Sequence, residues 1–213
     1  MKSRSKYHHG ELRTELLNLA VERLAAVGVE KLSIRALARQ AGVSPTAPFR
    51  HFPDKQTLLA SLAILGFNEL AERLMATVGA DSPVEERFVD LGAAYFNFAR
   101  DFPVHYQLMF GAVLGDFSQS QALQEAAANA YDILDAMLVE IKDNRQLDHD
   151  VYVLGGLVWA TVHGMASLAL NVQTAQRGSD AAPRQAVATL AADIQGPLRM
   201  LYAGITDRHS GAR

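Results

Sequence analysis

Apolar residues recur every three or four positions along most of the chain, which is the spacing of one face of an α-helix. In the first sixty residues, short polar breaks divide this pattern into three short helices and the start of a longer one. Gly28 ends the first helix and Gly42 ends the second, because glycine adopts a positive φ at little steric cost. The sequence contains no long alternation of apolar and polar residues, which would indicate a half-buried strand. The chain is therefore predicted to be all-α.

The second and third predicted helices are joined by the sequence Ala-Gly-Val-Ser at residues 41–44. Ser33 and Ser44 are placed to cap these two helices, because a serine hydroxyl can accept a hydrogen bond from a first-turn N–H. Two short helices joined by a tight turn are typical of a helix-turn-helix, whose second helix presents its first residues to base edges in the major groove. We expect this third helix over roughly residues 45–52. Its start should be irregular, as a 3₁₀ turn, because Pro48 removes a backbone donor.

The rest of the chain is predicted to consist of longer helices separated by short connections. A short aromatic segment covers residues 101–111, and a polar loop covers residues 178–183. The last helix is expected to kink near Gly196-Pro197, and the tail after Asp207 should fray. The predicted long helices span residues 55–79, 83–100, 118–142, 148–176 and 183–204.

Residues 151–172 form an uncharged stretch of 22 residues, long enough to cross a membrane. Many glycine and alanine residues make it only mildly apolar, so a helix buried in protein is the better interpretation. Gly156, Ala160 and Gly164 would give this helix a small-residue stripe for close packing. With the last helix, two copies of the chain could then form a four-helix dimer seam. The residues predicted to line the seam on the last helix are Leu190, Ile194, Leu198 and Leu201.

Charge is distributed unevenly along the 213 residues, although the formal net charge is only −3. The segment up to Ala60 has ten basic and five acidic residues, a net charge of +5, and the remainder has ten basic and eighteen acidic residues, a net charge of −8. A basic end on an acidic body indicates an anionic partner at that end, unless the asymmetry of surface charge is due to chance. We predict two domains, over residues 1–60 and 61–213.

Composition and motifs exclude several classes of protein. The absence of cysteine excludes a disulfide scaffold, a thiolate zinc site and a cysteine nucleophile, and it is compatible with a reducing cytoplasm. The sequence contains no common metalloprotease, hydrolase, phosphate-loop or dinucleotide motif, so we expect neither an enzyme nor a cofactor. His8, His9 and Glu11 could mimic a metal cluster, but the polar arm over residues 1–13 offers no surrounding groups to orient them. No metal site is expected.

Residues 32–59, with the sequence LSIRALARQAGVSPTAPFRHFPDKQTLL, resemble the DNA-binding domain of the TetR family of bacterial transcriptional regulators. Residues 7–13, YHHGELR, are similar to the lead-in of one branch of that family. The resemblance implies an all-helical homodimer of about nine helices, with a divergent C-terminal domain for ligand binding and dimerisation. It also implies repression that is relieved by a small molecule.

The same resemblance assigns candidate DNA contacts to the second, third and fourth helices. Arg50 can read guanine or clamp a phosphate, and Thr46 can bind a phosphate or touch a thymine methyl. Lys55 lies near a helix N-terminus, which itself favours anions. The family usually has tyrosine where this chain has Phe49, so a hydrogen bond to phosphate is lost and Phe49 can contribute only packing or a thymine contact. The candidates are Arg35, Arg39, Ser44, Pro45, Thr46, Ala47, Phe49, Arg50, His51 and Lys55, with solvated surface as the alternative for Arg35 and Arg39.

Trp159 and His163 share a helix face, and with Gly164 they form a W-x-x-x-H-G motif that resembles a signature of one C-terminal subfamily of TetR regulators. His163 is either a hydrogen-bonded core residue or a polar group in a ligand pocket. Metal ligation is disfavoured because no second ligand lies at helical spacing. We expect an apolar pocket with a few polar anchors, although aromatic and methionine residues also suit a core. Its candidate residues are Tyr95, Phe98, Phe102, Tyr106, Met109, Phe110, Tyr152, Trp159 and His163.

These features predict a ligand-responsive DNA-binding regulator in the cytoplasm, without membrane contact. It would repress transcription as a homodimer on a palindromic operator and be released by a small, largely apolar effector. The alternative is a helical interaction protein without sequence-specific DNA binding. Salt separates the two, because affinity that depends on phosphate contacts falls steeply as salt rises.

Overall fold

The computed structural model describes residues 9–79, 81–114, 120–174 and 182–207, and within these ranges the chain is helical and has no strand. The predicted all-α fold is confirmed. Two short 3₁₀ segments, Ala47–Arg50 and Ala112–Leu114, lie between the α-helices. The nine α-helices of the described ranges are α1 (His9–Val27), α2 (Ile34–Gln40), α3 (Lys55–Val78), α4 (Val84–Asp101), α5 (Pro103–Phe110), α6 (Gln121–Arg145), α7 (Val151–Thr174), α8 (Ala182–Ala192) and α9 (Gln195–Thr206).

Some of the sequence predictions cannot be compared with the fold. The tail after Asp207, most of the predicted loop at 178–183 and the N-terminal arm up to His8 lie outside the described residues. Where comparison is possible, the first four long predicted helices are found within a few residues of their expected ends, and the last one is divided in two.

The chain divides into two units, and each unit consists of two separate segments of the sequence. The first unit extends to Gly66 and also contains Val104–Gln124, so the chain leaves it, returns and leaves again. The predicted division into residues 1–60 and 61–213 does not include this return. The returning segment packs tightly within the first unit, since a Cβ added to Gly66 would lie 2.6 Å from the sulfur of Met109.

The turns of the first unit follow the predicted glycines. Gly28 and Gly42 have φ angles of +76° and +68°, in the left-handed region that ends a helix. After α2, the Val43 N–H donates to the Ala38 carbonyl at 3.0 Å and directs the chain out of the helix. Ser33 precedes α2 with an extended backbone, but its hydroxyl makes no capping hydrogen bond, so the predicted cap is wrong.

The core of the first unit is built from the buried faces of α1, α2 and the start of α3. The periodic leucines that predicted these helices are the residues that meet there, because each helix can remove only one face from water. Phe52, from the connection between the 3₁₀ segment and α3, fills the space between them and is 1% exposed. The other buried members include Leu16, Leu17, Ala20, Leu37, Ala38, Leu58, Leu59 and Leu62.

The second unit is organised around α4, which packs against α7 and α9. Gly92 on α4 lets α9 approach closely, since a Cβ there would lie 2.5 Å from Leu198 Cδ2. Phe88 on α4 and Tyr202 on α9 pack with ring centroids 5.4 Å apart. The guanidinium of Arg87 binds both oxygens of Glu140 on α6, one of them at 2.9 Å, and this contact holds the pKa of the Glu140 carboxyl below its usual value.

The predicted last helix is two helices rather than one kinked helix. The chain breaks at Asp193 and Ile194, just before Pro197. Proline has no N–H to donate to the carbonyl of Asp193 four residues earlier, so the helical ladder cannot continue through this point. The Asp193 carboxylate instead accepts a hydrogen bond from the Gly196 N–H at 3.3 Å, and α9 begins again there.

Candidate DNA-binding and ligand-binding sites

The predicted third helix is a single 3₁₀ turn, Ala47–Arg50, and not an α-helix over residues 45–52. Pro48 explains the difference, because it lacks the N–H that an α-helical ladder needs at that position. The Phe49 N–H donates to the Thr46 carbonyl at 3.3 Å, and the Pro48 carbonyl accepts hydrogen bonds of 2.9 Å from the N–H groups of His51 and Phe52. The predicted 3₁₀ start thus extends over the whole element, which we call the recognition turn.

The recognition turn packs on α1 and α2 through its buried side and is open to solvent on the other. Pro48 is buried, whereas Phe49 is 38% exposed. Ser44 does not begin a helix as predicted, and its hydroxyl lies 3.3 Å from that of Thr46. Of the candidate DNA contacts, Ala47 and His51 are half-buried, and the exposed ones are Arg35, Arg39, Ser44, Pro45, Thr46, Phe49 and Arg50.

Lys55 and the start of α3 have contacts that the sequence interpretation did not foresee. The Lys55 ammonium donates to the Val29 carbonyl and ties the first turn of α3 to the connection between α1 and α2. The N-terminus of α3 is already occupied by an anion, because the Asp54 carboxylate accepts hydrogen bonds from the Thr57 N–H at 2.7 Å and hydroxyl at 2.9 Å. These bonds lower the pKa of Asp54. The Asp-x-x-Thr spacing is a capping signal that sequence reasoning missed.

Phe52 is a core residue, as predicted, and it also has a cationic neighbour. The guanidinium of Arg13 on α1 lies 5.5 Å from the centre of the Phe52 ring. Cation–π contact fixes the two side chains relative to one another. Phe52 lies two residues after the recognition turn and accepts the interaction on its ring, so this contact helps to hold the chain at the end of the turn against α1.

In the second unit, His163 on α7 joins three of its neighbours into one polar cluster. Its Nδ1 is hydrogen-bonded to the Tyr95 hydroxyl on α4 at 3.0 Å, and its Nε2 lies 3.3 Å from the Ser167 hydroxyl. The Trp159 ring packs against the imidazole with centroids 5.5 Å apart. The hydrogen bond between two helices agrees with the interpretation of His163 as a hydrogen-bonded residue, and its role in a ligand pocket stays a prediction. The neighbouring Trp159 is 40% exposed.

The other residues predicted for the ligand pocket do not join this cluster. Phe98 is completely buried in the core, and Tyr152 is 79% exposed on the outer side of α7. Tyr106, Met109 and Phe110 belong to the first unit, where the Tyr106 and Phe110 rings pack together. Phe102 stacks on Phe98 and lies under the guanidinium of Arg73. The sequence shows that these residues are aromatic or apolar, but their spacing along a helix does not show which other helix each side chain contacts.

A small cavity of about 50 Å³ lies between α4, α7 and α8 in the second unit. Its volume suits one or two water molecules rather than a drug-sized ligand. None of the residues predicted for ligand binding lines it, and its walls are formed by Phe96, Arg100, Ala166, Ala169, Leu170 and Ala191.

His163 makes stability dependent on pH. Burial lowers its pKa below the ordinary value of 6.5. As the pH falls through the window below 6.5, the unfolded chain takes up a proton at this position before the folded chain does, so the free energy of unfolding should decrease. Thermal denaturation at about pH 7.5 and about pH 5.5 measures this loss. His163→Gln should show a smaller loss than the wild type; an unchanged loss would mean that other histidines cause it.

Two family models match the chain on the two parts just described. Residues 16–62 match the model described as "Bacterial regulatory proteins, tetR family", and residues 88–194, half of the chain, match "Tetracyclin repressor-like, C-terminal domain". The chain belongs to the TetR family. It is thus an all-α regulatory protein with a TetR-type DNA-binding region followed by a TetR-type C-terminal region.

The chain is also similar to individual proteins and solved structures. A solved structure of a Rhodococcus sp. RHA1 protein of unknown function is 31% identical, with a TM-score of 0.75 over 96% of this chain and 100% of that one. FadR of Bacillus subtilis, solved in complex with stearoyl-CoA, shares the fold at 17% identity, with a TM-score of 0.68 over 87% and 96% of the two chains. The nucleoid occlusion factor SlmA of Haemophilus influenzae is 28% identical over 138 residues, which are 64% of this chain and 62% of that protein, so less than two thirds of the relative is matched.

The outer side of α7 exposes a group of neighbouring apolar residues in this TetR-family chain. Tyr152, Val153, Leu157 and Leu168 are all more than half exposed. Around them, Gly156 and Ala160 are exposed, and a Cβ added at Gly156 or Gly164 would meet no atom within 4 Å. The predicted small-residue stripe therefore lies at the surface of the chain.

The last helix was predicted to form the dimer seam together with this stripe, but only some of its predicted seam residues are accessible. Leu198 is completely buried against Gly92, so it belongs to the core of the chain and cannot line a seam with a second copy. Leu190 on α8, Ile194 before α9 and Leu201 on α9 are half-buried. The correction follows from the break before Pro197, which turns α9 back onto α4 and leaves α8 beside α7.

By length and composition, Val151–Asn171 on α7 could cross a membrane, since its most apolar window has a mean hydropathy of 1.6. Forty-four per cent of that window is buried inside the protein, where α7 packs on α4 and α8. These contacts with α4 and α8 account for the apolar composition of α7 as a packed helix of the C-terminal region. Among the residues that the structure describes, no group of three histidine, aspartate or glutamate side chains could hold a metal ion.

Proposed function

We propose that this protein is a cytoplasmic transcriptional repressor that binds a palindromic operator as a homodimer and leaves it when a small, largely apolar effector binds. The observation that carries the proposal is the recognition turn. Pro48 in the turn and Phe52 after it are buried, and on the solvent side the turn exposes the Phe49 ring and the Arg50 guanidinium. The exposed hydroxyls of Ser44 and Thr46 directly precede it. An anchored turn with that chemistry suits contact with a DNA groove.

The exposed arginines supply the electrostatic part of DNA binding. Arg35 and Arg39 on α2 are exposed, and Arg50 ends the recognition turn. Phosphate contacts fix the protein on the duplex without reading sequence, so we assign Arg35 and Arg39 this positioning role. Arg50, on the turn itself, is the candidate for a bidentate contact to guanine. Lys55 already holds the Val29 carbonyl, so its role is to orient α3 and add positive charge rather than to read bases.

Dimerisation follows from the outer side of α7. A contiguous apolar surface of this kind is rarely left in water and marks an interaction site. Small residues at Gly156, Ala160 and Gly164 would let the α7 helices of two copies approach closely, with α8 alongside. A symmetric pair would present two recognition turns to successive major grooves, about 34 Å apart, which is why the operator should be palindromic.

The effector site is proposed beside the Tyr95–His163–Ser167 cluster. The hydrogen bond between Tyr95 and His163 joins α4 to α7, and Trp159 gives the cluster a partly exposed aromatic face. A neutral imidazole and two hydroxyls provide a few polar anchors in a mostly apolar setting, as in many small-molecule sites. We assign the W-x-x-x-H-G motif of Trp159, His163 and Gly164 to this site.

Selection of bound fragments from sheared genomic DNA tests the repressor proposal. The purified protein should enrich a short palindromic sequence, and its affinity for that sequence should fall steeply as salt rises. Enrichment of no sequence, or binding that does not change with salt, would favour the alternative of a helical interaction protein. A reporter gene placed behind the enriched sequence then distinguishes repression from activation.

Trp159 is the only tryptophan of the chain, so its fluorescence reports on the proposed effector site. A compound that releases the protein from DNA should change the intensity or wavelength of this emission. The same compound should have a weaker effect on DNA release in His163→Ala, because an anchor of the site is lost. Release of DNA with unchanged Trp159 emission would place the effector elsewhere.

Phe49→Tyr should tighten operator binding. The substitution adds a hydroxyl to an exposed ring at the position where the family usually has tyrosine, so it restores a donor for a phosphate oxygen. One such hydrogen bond to a charged group is worth about 1.5–3 kcal/mol, so we expect a gain of about tenfold to 100-fold. Fluorescence anisotropy with the enriched operator measures it. No gain would show that the ring does not lie near the phosphates.

A further inference from the structure

We propose that the ring of Phe49 reads the 5-methyl group of a thymine in each operator half-site. The inference rests on the proposed function and adds to it a specificity determinant particular to this chain. It assigns a contact with a base to the ring of Phe49, which has no hydroxyl with which to bind a phosphate.

The geometry of the recognition turn holds Phe49 outward. Pro48, the residue before it, is buried, and its ring fixes the backbone there. The Pro48 carbonyl accepts hydrogen bonds from His51 and Phe52 at 2.9 Å each, and Phe52 is 1% exposed. The backbone on both sides of Phe49 is therefore tied into the first unit, while 38% of its side chain remains open to solvent. The aromatic ring is presented on a fixed support rather than on a flexible loop.

The chemistry of the ring decides what it can read. Phenylalanine has no hydrogen-bonding group, so it can satisfy neither a phosphate nor the donors and acceptors that bases present in the major groove. The thymine methyl is the apolar group among those base edges. Against any other base, the ring would cover a polar atom and give no hydrogen bond in return, which costs free energy. Phe49 should thus favour thymine and disfavour the other three bases.

The neighbouring side chains favour the same interpretation. The Ser44 and Thr46 hydroxyls lie 3.3 Å apart and satisfy one another in part, and Pro45 adds a second exposed apolar group. The positive charge of the turn is at Arg50, the next residue after Phe49. Arg50 can therefore make the polar contact to a phosphate or to guanine, and the Phe49 ring can make the apolar contact.

The test uses the operator enriched from genomic DNA, with each thymine of one half-site replaced in turn by deoxyuridine, which lacks only the methyl group. For the wild type, one position should lower affinity by about fourfold, the size of one buried methyl group. Replacement at the symmetric positions of both half-sites should lower it by about sixteenfold. Phe49→Ala should bind the thymine and deoxyuridine operators with equal affinity, because the group that reads the methyl is absent.

Three controls make the result specific to Phe49. Phe49→Tyr keeps the ring and should keep the fourfold sensitivity. Thr46→Ser removes the other methyl group that could touch thymine and should also keep it. Circular dichroism, together with affinity for an unrelated duplex, shows whether Phe49→Ala remains folded. If it does not, Phe49→Gln takes its place, because it keeps a longer side chain but removes the apolar ring, and it should likewise lose the sensitivity to deoxyuridine.

The possible outcomes are distinct. Sensitivity to deoxyuridine that disappears with the Phe49 ring supports the inference. Insensitivity at every thymine overturns it, and so does a sensitivity that is the same in wild type and Phe49→Ala or that disappears in Thr46→Ser. If no sequence is enriched at all, the proposed repressor function fails, and the inference fails with it.

Discussion

Gly156→Glu is expected to convert the protein from a dimer to a monomer and to lower operator affinity by about 100-fold or more, because each substitution occurs twice in a symmetric interface and leaves a buried charge unpaired. Inside a single chain the new side chain has room, since a Cβ at Gly156 meets no atom within 4 Å. Glutamate is also a better helix former than glycine, by about 0.5–1 kcal/mol. The fold of the chain should therefore be retained while the association is lost.

Sedimentation velocity measures the association, and anisotropy with the operator measures the binding. Gly156→Ala is the matched control: it makes the same change of backbone freedom but adds only a methyl group, and it should remain dimeric. Ala160→Glu, one turn further along the same exposed stripe, should reproduce the effect of Gly156→Glu. A dimeric Gly156→Glu protein would exclude the outer side of α7 as the interface.

Leu198→Ala should destabilise the second unit by about 2–5 kcal/mol, the usual cost of emptying a fully buried leucine site. Leu198 is 0% exposed and fills the space above Gly92, between α4 and α9. The reciprocal substitution Gly92→Ala should also destabilise, by about 1–3 kcal/mol, because the new Cβ would lie 2.5 Å from Leu198 Cδ2. Urea denaturation followed by circular dichroism measures both.

The double variant shows whether the two losses of stability come from direct packing between Gly92 and Leu198 or from independent destabilisation of α4 and α9. In Gly92→Ala/Leu198→Ala the added methyl group enters the space that the leucine leaves, so the two losses should not add. Met200→Ala is a control on the same helix, since Met200 is 76% exposed, and it should change stability by less than about 0.5 kcal/mol. Strictly additive losses at Gly92 and Leu198 would show that the two residues are not in contact.

Sequence periodicity located the long helices because each of them buries one face. Leu16, Leu37 and Leu62 were identifiable as core residues for this reason, and all three are 1% exposed. Gly28 and Gly42 marked helix ends because few other residues adopt their positive φ. These features depend on residues close together in sequence, so one sequence is enough to find them.

The features that sequence reasoning misjudged depend on tertiary contacts or on proline. Pro48 limited the recognition element to one 3₁₀ turn, and Pro197 separated α8 from α9. Leu198 has the helical spacing of a seam residue. What its side chain contacts depends on the direction of α9 after the break, and local spacing does not show that direction. The hydrogen bond between Tyr95 and His163 joins residues 68 positions apart, so neither residue type nor interval indicated it.

The candidate DNA contacts stay a prediction, and the structure tests only whether they are exposed. Most of its residues lie within one short continuous segment, and the structure leaves seven of the ten exposed. Ala47, His51 and Lys55 are half-buried. The contact of Lys55 could not be predicted from local sequence, because its partner Val29 lies 26 residues earlier. The ligand-binding residues came from three separated segments, and the structure brings together only those on α4 and α7.

The return of the chain to the first unit has a consequence for how this protein can be divided. Gly66 is buried, and the side chains that crowd it, Met109 and His105, come from a segment nearly forty residues further along the chain. A fragment that ends at Gly66 would leave that surface bare and expose apolar groups to water. The DNA-reading part therefore cannot be exchanged between regulators as one continuous piece of gene, and a working chimera has to carry residues 104–124 with it.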